Sequence, residues 1–528
     1  MLDAARMPRH PSATGSSRAV VSGVARSGAL LGSLFAVFAV FAVFAVGEPQ
    51  ARAYESEVDA SVSAQFYTLE SPYGEPLLRR RRYTNMLGMA LYDLQGERRP
   101  GGPSLSFRSR VRLDADLGQD PAERDPRSPR FVPGLEEAPF DLMYAYLEGE
   151  RYFGGAFGFR LGRQYVADVL GWWSFDGVDV ALSTPVHLRL EAYGGLEQRS
   201  GLPMFTTPRF QADGVARGSR DALRADQWTS YLNQSAVAPA LGVALETSDL
   251  SWLHARATYR RVTNRDSVVV SPFLPVDGVL RTYKAERVST ERVGASARLQ
   301  PSDLGALSGS VVYDFYVGQV SQQALGLDVF ATHRLTLGAD YERTLPTYDA
   351  DSVFNWFAHS AMTSYTGRAD VLLTRRLDAA ANFGMRQFET LGDPASYAQR
   401  FDQTTITREL DPFAALFGRY RYNDGSVSLR GQAELGERGH RVGADVTGRK
   451  TFANGYYDSL VVLSLYDFKD ELRPDRYATS FSYVLGGGVV PGGFGDRARV
   501  GIEWEHAVNR LVGQRYRLLA TLDIAVLR

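Results

Sequence analysis

The chain contains no cysteine, which excludes a disulfide framework, a thiolate metal site and a cysteine nucleophile. Histidine is scarce, at 7 in 528 residues. Those beyond residue 53 are His187, His254, His333, His359, His440 and His506, and none sits in a nucleophile or metal-ligand motif. No glycine-rich phosphate loop follows a strand and opens a helix. An enzyme, a cofactor and a metal site are therefore not expected. Excess charge of one sign is lacking too: 59 Lys and Arg face 60 Asp and Glu, for a net charge of -1. With no basic tail, nucleic acid is not expected as a partner. After Val46 no apolar run is long enough for a spanning helix, and the mean hydropathy of -0.22 is far too polar for a helical membrane protein.

The first residues have a different composition from the rest. Arg18 and Arg26 precede the apolar stretch Ala29–Val46, built largely from four Phe-Ala-Val units beginning at Phe35. Ala51-Arg52-Ala53 then places small residues at the two positions that a signal peptidase reads. Residues 1–53 are expected to be a cleaved signal peptide, with an uncleaved anchor as the alternative, and 54–528 to be the exported protein.

What the exported part has in abundance is alternation. In Ser106–Leu117 one face reads Phe107, Ser109, Val111, Leu113, Ala115, Leu117, and the other Arg108, Arg110, Arg112, Asp114, Asp116. In Arg497–Glu505, Ala498, Val500, Ile502 and Trp504 oppose Arg497, Arg499, Glu503 and Glu505. Arg515–Ala525 repeats the split. A period of two sends successive side chains to opposite faces of a strand. One uncharged face and one charged face is what lipid outside and water inside require. Closure into a barrel leaves no edge unpaired in hydrocarbon. The fold class is therefore all-β, a single-chain antiparallel transmembrane β-barrel. The pattern supports 18–22 strands, Arg368–Thr374 among them, with connections alternately tight and long, Thr263–Tyr283 being one of the long ones. The 27 Tyr in the chain suit the aromatic girdles of such a barrel.

The charged faces carry the candidate functional residues. They are Arg108, Arg110, Arg112, Arg160, Gln164, Arg189, Arg256, Arg386, Arg430 and Arg499. A guanidinium stays charged and offers a planar fork that fits carboxylate and phosphate. A ring of them in a narrow channel attracts anions. The other possibility is structural: Glu148, Asp114, Glu434 and Glu503 are available to pair with them. Ser219–Leu232 and Ser352–Met362 read as short helices within the long connections 198–236 and 344–365, which are candidates for narrowing the pore.

The segment Phe159-Arg160-Leu161-Gly162-Arg163-Gln164, followed by Phe175-Asp176-Gly177-Val178, resembles the alginate-export porins of outer membranes. The resemblance implies an 18-stranded barrel whose Arg-rich lumen conducts an anionic polysaccharide. It implies that Arg160, Arg163 and Gln164 face or border the pore, with Asp176 as a pairing partner. Strict alternation sends Arg163 to the lipid side, so it needs a bulge or a place at the rim. The reading is an outer-membrane channel for passive passage of hydrophilic, anionic solutes. Its partners would be outer-membrane lipid, a small solute or polysaccharide, and the barrel-insertion machinery. An export porin and a plugged barrel acting as an assembly partner are the alternatives.

Overall fold

In the computed structural model the alternating stretches are strands. The structure describes residues 55–96, 101–116, 140–197, 238–270, 282–316, 318–346, 361–391, 406–436, 439–470, 473–491, 498–509 and 513–527. The expected signal peptide and both expected helices lie outside the described residues, save that Met362 opens a strand.

The first half of the barrel comprises β1 (Glu55–Glu70), β2 (Pro76–Tyr92), β3 (Ser104–Asp116), β4 (Phe140–Tyr152), β5 (Phe157–Asp168), β6 (Gly171–Ser183), β7 (Leu188–Glu197), β8 (Pro239–Thr247), β9 (Leu253–Val270), β10 (Thr282–Ser302) and β11 (Gly305–Asp314). The second half comprises β12 (Gln319–Thr332), β13 (Leu335–Thr344), β14 (Met362–Leu372), β15 (Leu377–Leu391), β16 (Ile406–Tyr422), β17 (Gly425–Glu434), β18 (Gly439–Phe452), β19 (Tyr457–Asp470), β20 (Arg473–Val489), β21 (Ala498–Asn509) and β22 (Gly513–Leu527). They form one 22-stranded sheet in which each strand pairs antiparallel with the next. The first strand also pairs with the last, from Glu57 opposite Leu527 to Leu69 opposite Arg515. That ladder closes the barrel and removes both edges.

The two faces differ as the alternation requires. Leu241, Val243 and Leu245 on β8, Leu325, Leu327 and Val329 on β12, and Val427 and Leu429 on β17 are all exposed on the outside. A contiguous apolar band of this kind is unfavourable against water and favourable against lipid tails. The inward side holds the buried polar groups, among them Arg112, Asp179, Glu191, Arg260 and Asp314.

Several expectations need correction. Both ends of the connection expected over Thr263–Tyr283 are strand: β9 runs to Val270 and β10 starts at Thr282, with Val268 opposite Lys284. The β-branched run Val268-Val269-Val270 favours that extension. Strand β14 covers Met362–Leu372 rather than Arg368–Thr374, because Thr363 and Tyr365 continue the ladder to Arg343 and Tyr341. The long connections do gather at one end of the barrel, but tight ones share that end. There β5 meets β6 across Val169 and Leu170, and β11 meets β12 across Phe315–Gly318. The strand number is 22, not the 18 that the resemblance implied.

Leu327→Arg places a charge on the outer band near the middle of β12. The substitution should lower the unfolding free energy of the refolded barrel in bilayers by about 2–4 kcal/mol. A urea titration indistinguishable from that of the parent protein would contradict the assignment of the faces.

Candidate functional site

The inward face of β3–β9 carries a continuous ladder of opposite charges. Arg108 Nε lies 3.6 Å from Glu148, which stands opposite Arg160 in the β4–β5 register. Arg160 Nε donates to Asp179 across β5–β6 at 2.9 Å, and its guanidinium reaches Glu191 on β7 at 3.7 Å. Glu191 accepts from Arg256 on β9 at 2.9 Å. Arg256 also donates to Glu246 on β8 at 2.6 Å, and Glu246 lies 3.5 Å from Arg189. Asp179 and Glu191 are buried. Carboxylates hidden this deeply need compensating cations, and these arginines supply them.

Elsewhere an ion pair spans two strands by lying over a glycine on the strand between. Arg110 on β3 reaches Asp59 on β1 at 3.0 Å, over Gly88. Arg499 on β21 reaches Asp458 on β19 at 2.8 Å, beside Gly488. Arg368 on β14 reaches Asp328 on β12 over Gly338, where a Cβ would fall 2.7 Å from the arginine Cγ. Of the other expected residues, Arg112 is buried on the same face of β3. Arg386 pairs with Glu434 at 3.4 Å and lies 4.6 Å over the Phe413 ring. Arg430 stands opposite Asp445 in the β17–β18 register.

The hairpin of β5 and β6 breaks the regularity of the wall. Its two strands pair with each other through to Asp168 and Gly171. Strand β5 pairs with β4 only as far as Arg163, and β6 pairs with β7 only from Phe175 onward. The distal part of the hairpin has therefore left the wall. Its tip rests on the inward face of strands well round the barrel. Thr258 Oγ1 on β9 donates to Asp168 at 3.0 Å, and Arg260 donates to the Leu170 carbonyl at 2.9 Å. On β10, a Cβ at Gly294 would lie 2.6 Å from Val169 Cγ1 and 2.8 Å from Leu170 Cδ2, so the tip needs that glycine. Beneath the hairpin, Trp173 stacks on Phe175 with ring centroids 4.4 Å apart, and both pack against Tyr193. Trp173 Nε1 donates to Glu197 at 3.1 Å, and Arg260 lies 5.3 Å over the Trp173 ring. Val166, Trp173, Phe175, Tyr193, Ala238, Ala240 and Val262 form one buried apolar cluster.

The residues at the hairpin's root account for the departure. Gly162 has φ of 127°, a left-handed region that favours glycine. It pairs with Gly177, where a Cβ would strike the backbone of Gly194 and Gly195. Arg163 donates twice to Asp176, at 2.7 and 2.8 Å, and once to the Leu142 carbonyl of β4 at 3.0 Å. Gln164 is fully buried and donates to the Gly177 and Arg160 carbonyls at 3.1 and 3.3 Å. Asp176 is thus the partner of Arg163. Arg163 and Gln164 hold the root of the hairpin, while Arg160 belongs to the charge ladder. The connections 198–236 and 344–365, expected to narrow the pore, lie outside the described residues except at their ends. Sequence periodicity did not reveal the inward hairpin. Trp173 and Phe175, apolar on the side that is otherwise polar, were its signal.

No family model matches the chain, so the resemblance to alginate-export porins finds no support, and no curated protein matches it either. Solved structures do resemble it. OccAB4 of Acinetobacter baumannii is 8% identical, with a TM-score of 0.42, covering 90% of this chain and 98% of that one. The outer membrane protein OpdK of Pseudomonas aeruginosa is 9% identical, with a TM-score of 0.40, covering 90% and 99%. The PapC translocation pore of the P pilus usher is 8% identical, with a TM-score of 0.41, covering 89% and 99%. At such identities the closed ladder of this chain remains the basis for its fold.

Two outcomes check the site. Asp179→Asn strips the half-buried Arg160 of its nearest carboxylate and should cost about 3 kcal/mol, the lower end for breaking a buried pair, because Glu191 remains. Denaturant unfolding in micelles reads that loss. Gly294→Val should displace the hairpin tip and raise single-channel conductance, and an unchanged conductance would mean that the tip does not narrow the path.

Proposed function

We propose that this chain is a passive, water-filled channel of a bacterial outer membrane, admitting small hydrophilic solutes with a preference for anions. The observation that carries the reading is the combination of an apolar outer band with a charged interior, narrowed by one inward hairpin. Polar walls pass hydrated solutes, and a constriction a few side chains wide is where their charge is felt.

The preference for anions rests on the chemistry of a paired guanidinium. Arginine has five N–H donors, and one carboxylate occupies two at most in a bidentate pair. Arg108, Arg110, Arg189, Arg386 and Arg499, each beside one carboxylate, therefore keep donors for a passing anion, while Arg160 and Arg256 divide theirs between two carboxylates and Arg112 and Arg430 add positive charge to the same wall. Arg163 and Gln164 contribute indirectly, by setting the hairpin. The reading includes export behind a signal peptide in residues 1–53 and insertion by the barrel-assembly machinery. A barrel sealed by its hairpin and loops, serving as an assembly partner, is the competing outcome of the same test.

Planar-bilayer recording under a salt gradient tests the reading. The parent chain should give stable conductance with an anion-favouring reversal potential. Arg108→Ala with Arg110→Ala should shift that potential toward cations while the barrel still folds. Folded protein without conductance would favour the sealed barrel, and an unshifted potential would remove both arginines from the selective wall.

A further inference from the structure

On the outside of the barrel, at the end carrying the long connections, β2 reaches past its last described pairing with β3, Arg82 opposite Asp116. The extension Pro76–Arg81 pairs with β1 and contains the start of the run Arg79-Arg80-Arg81-Arg82. Alternation divides that run between the two faces. The Arg110–Asp59 pair lies over Gly88, so even-numbered residues of β2 point inward. Arg80 and Arg82 therefore face the mouth of the pore. Arg79 and Arg81, both exposed, face outward with Tyr83.

Their outward surroundings are aromatic. Arg81 stands opposite Phe66 and Arg79 opposite Thr68 on β1. Phe66 meets Tyr83 edge-on, with centroids 6.1 Å apart. The rung through Arg79 and Thr68 continues to Tyr516 on β22 and His506 on β21, which stack at 4.7 Å. Tyr483 follows on β20, 5.4 Å from His506, and Trp504 lies 5.9 Å from Tyr516. Such a belt marks the level where a bilayer's apolar core gives way to headgroups. An outward arginine is costly at the midplane and nearly free of cost at that interface, so the belt and the arginines fix the same depth.

We infer that Arg79 and Arg81 bind a phosphate on the headgroup of a phosphorylated membrane lipid lying against β1 and β2. Alternate residues of one strand stand about 7 Å apart on one face, close enough for two guanidinium forks to converge on one phosphate. Phe66 (38% exposed) and Tyr83 supply apolar contact for the rest of the lipid, which a free anion would not use. Glu70 and Glu75 flank the turn that joins β1 to β2. The turn is held in place: Ser71 Oγ accepts from the Tyr73 and Glu75 amides at 3.2 and 3.1 Å. This inference rests on the membrane reading above and goes beyond it, since a channel needs no lipid site.

The test is native mass spectrometry of the full-length chain in micelles, titrated with diphosphorylated lipid A. The parent chain should retain the lipid, and Arg79→Ala with Arg81→Ala should bind it at least tenfold more weakly. Arg80→Ala with Arg82→Ala, on the inward face, should bind like the parent. Equal retention by the outer-face variant would overturn the site. Complete competition by millimolar inorganic phosphate would overturn the assignment to lipid and leave a free-anion site. Insertion into phosphatidylcholine vesicles, measured in parallel, separates the two readings. Insertion without lipid A binding sinks this inference alone, whereas failure to insert would sink the membrane reading beneath it.

Discussion

A backbone amide cannot be left unpaired in hydrocarbon, where each orphaned group costs several kcal/mol. The pairing of β1 with β22 meets that constraint, and the rest of the molecule depends on it. Once the sheet is closed, every strand has one face toward the interior and one toward lipid, and alternation becomes obligatory. The exposed leucines and valines of β8, β12 and β17 then make sense only against an apolar solvent. The closed wall also creates the interior in which Asp179 and Glu191 become buried, and where arginines from neighbouring strands must compensate them.

The one described departure from the wall is also the most informative part of the interior. When β5 and β6 leave their neighbours, backbone groups on β4 lose a strand partner. The Leu142 carbonyl accepts from Arg163 instead, and buried Gln164 satisfies two carbonyls at the same root. At the far end, Asp168 and the Leu170 carbonyl take hydrogen bonds from Thr258 and Arg260. Both ends of the hairpin are thus held by side-chain hydrogen bonds. A hairpin held in this way is a fixed part of the barrel interior.

Much of this architecture could be read from the sequence. Each expected strand overlaps an observed one, because a two-residue period with one uncharged face arises from little else than a strand set between lipid and water. Arg108, Arg110, Arg160, Arg256 and Arg499 could be placed on the inner face for the same reason. Their partners could not be chosen from sequence, because Glu191 meets Arg160 and Arg256 only once register across β5–β9 is known. The hairpin was hidden for a different reason. Strand periodicity continues through Gly162 and Gly177, so a two-stranded excursion looks like wall. The motif Gly162-Arg163-Gln164 stands out in the sequence, but its role differs from lining the pore. The twin glycines, and the aromatic residues Trp173 and Phe175 on a polar face, carried the information.

The interior is organised by the hairpin tip resting inside the barrel against β10. The absence of native cysteine allows a test with Val169→Cys and Gly294→Cys: the Val169 Cγ1 that a Cβ at Gly294 would meet at 2.6 Å is an atom the first substitution replaces, and the other neighbour, Leu170 Cδ2, ends a flexible side chain. The disulfide is predicted to form readily under mild oxidation and to leave single-channel conductance unchanged, because the tip already occupies that position. Failure to crosslink, or a marked fall in conductance once the bond forms, would contradict that placement.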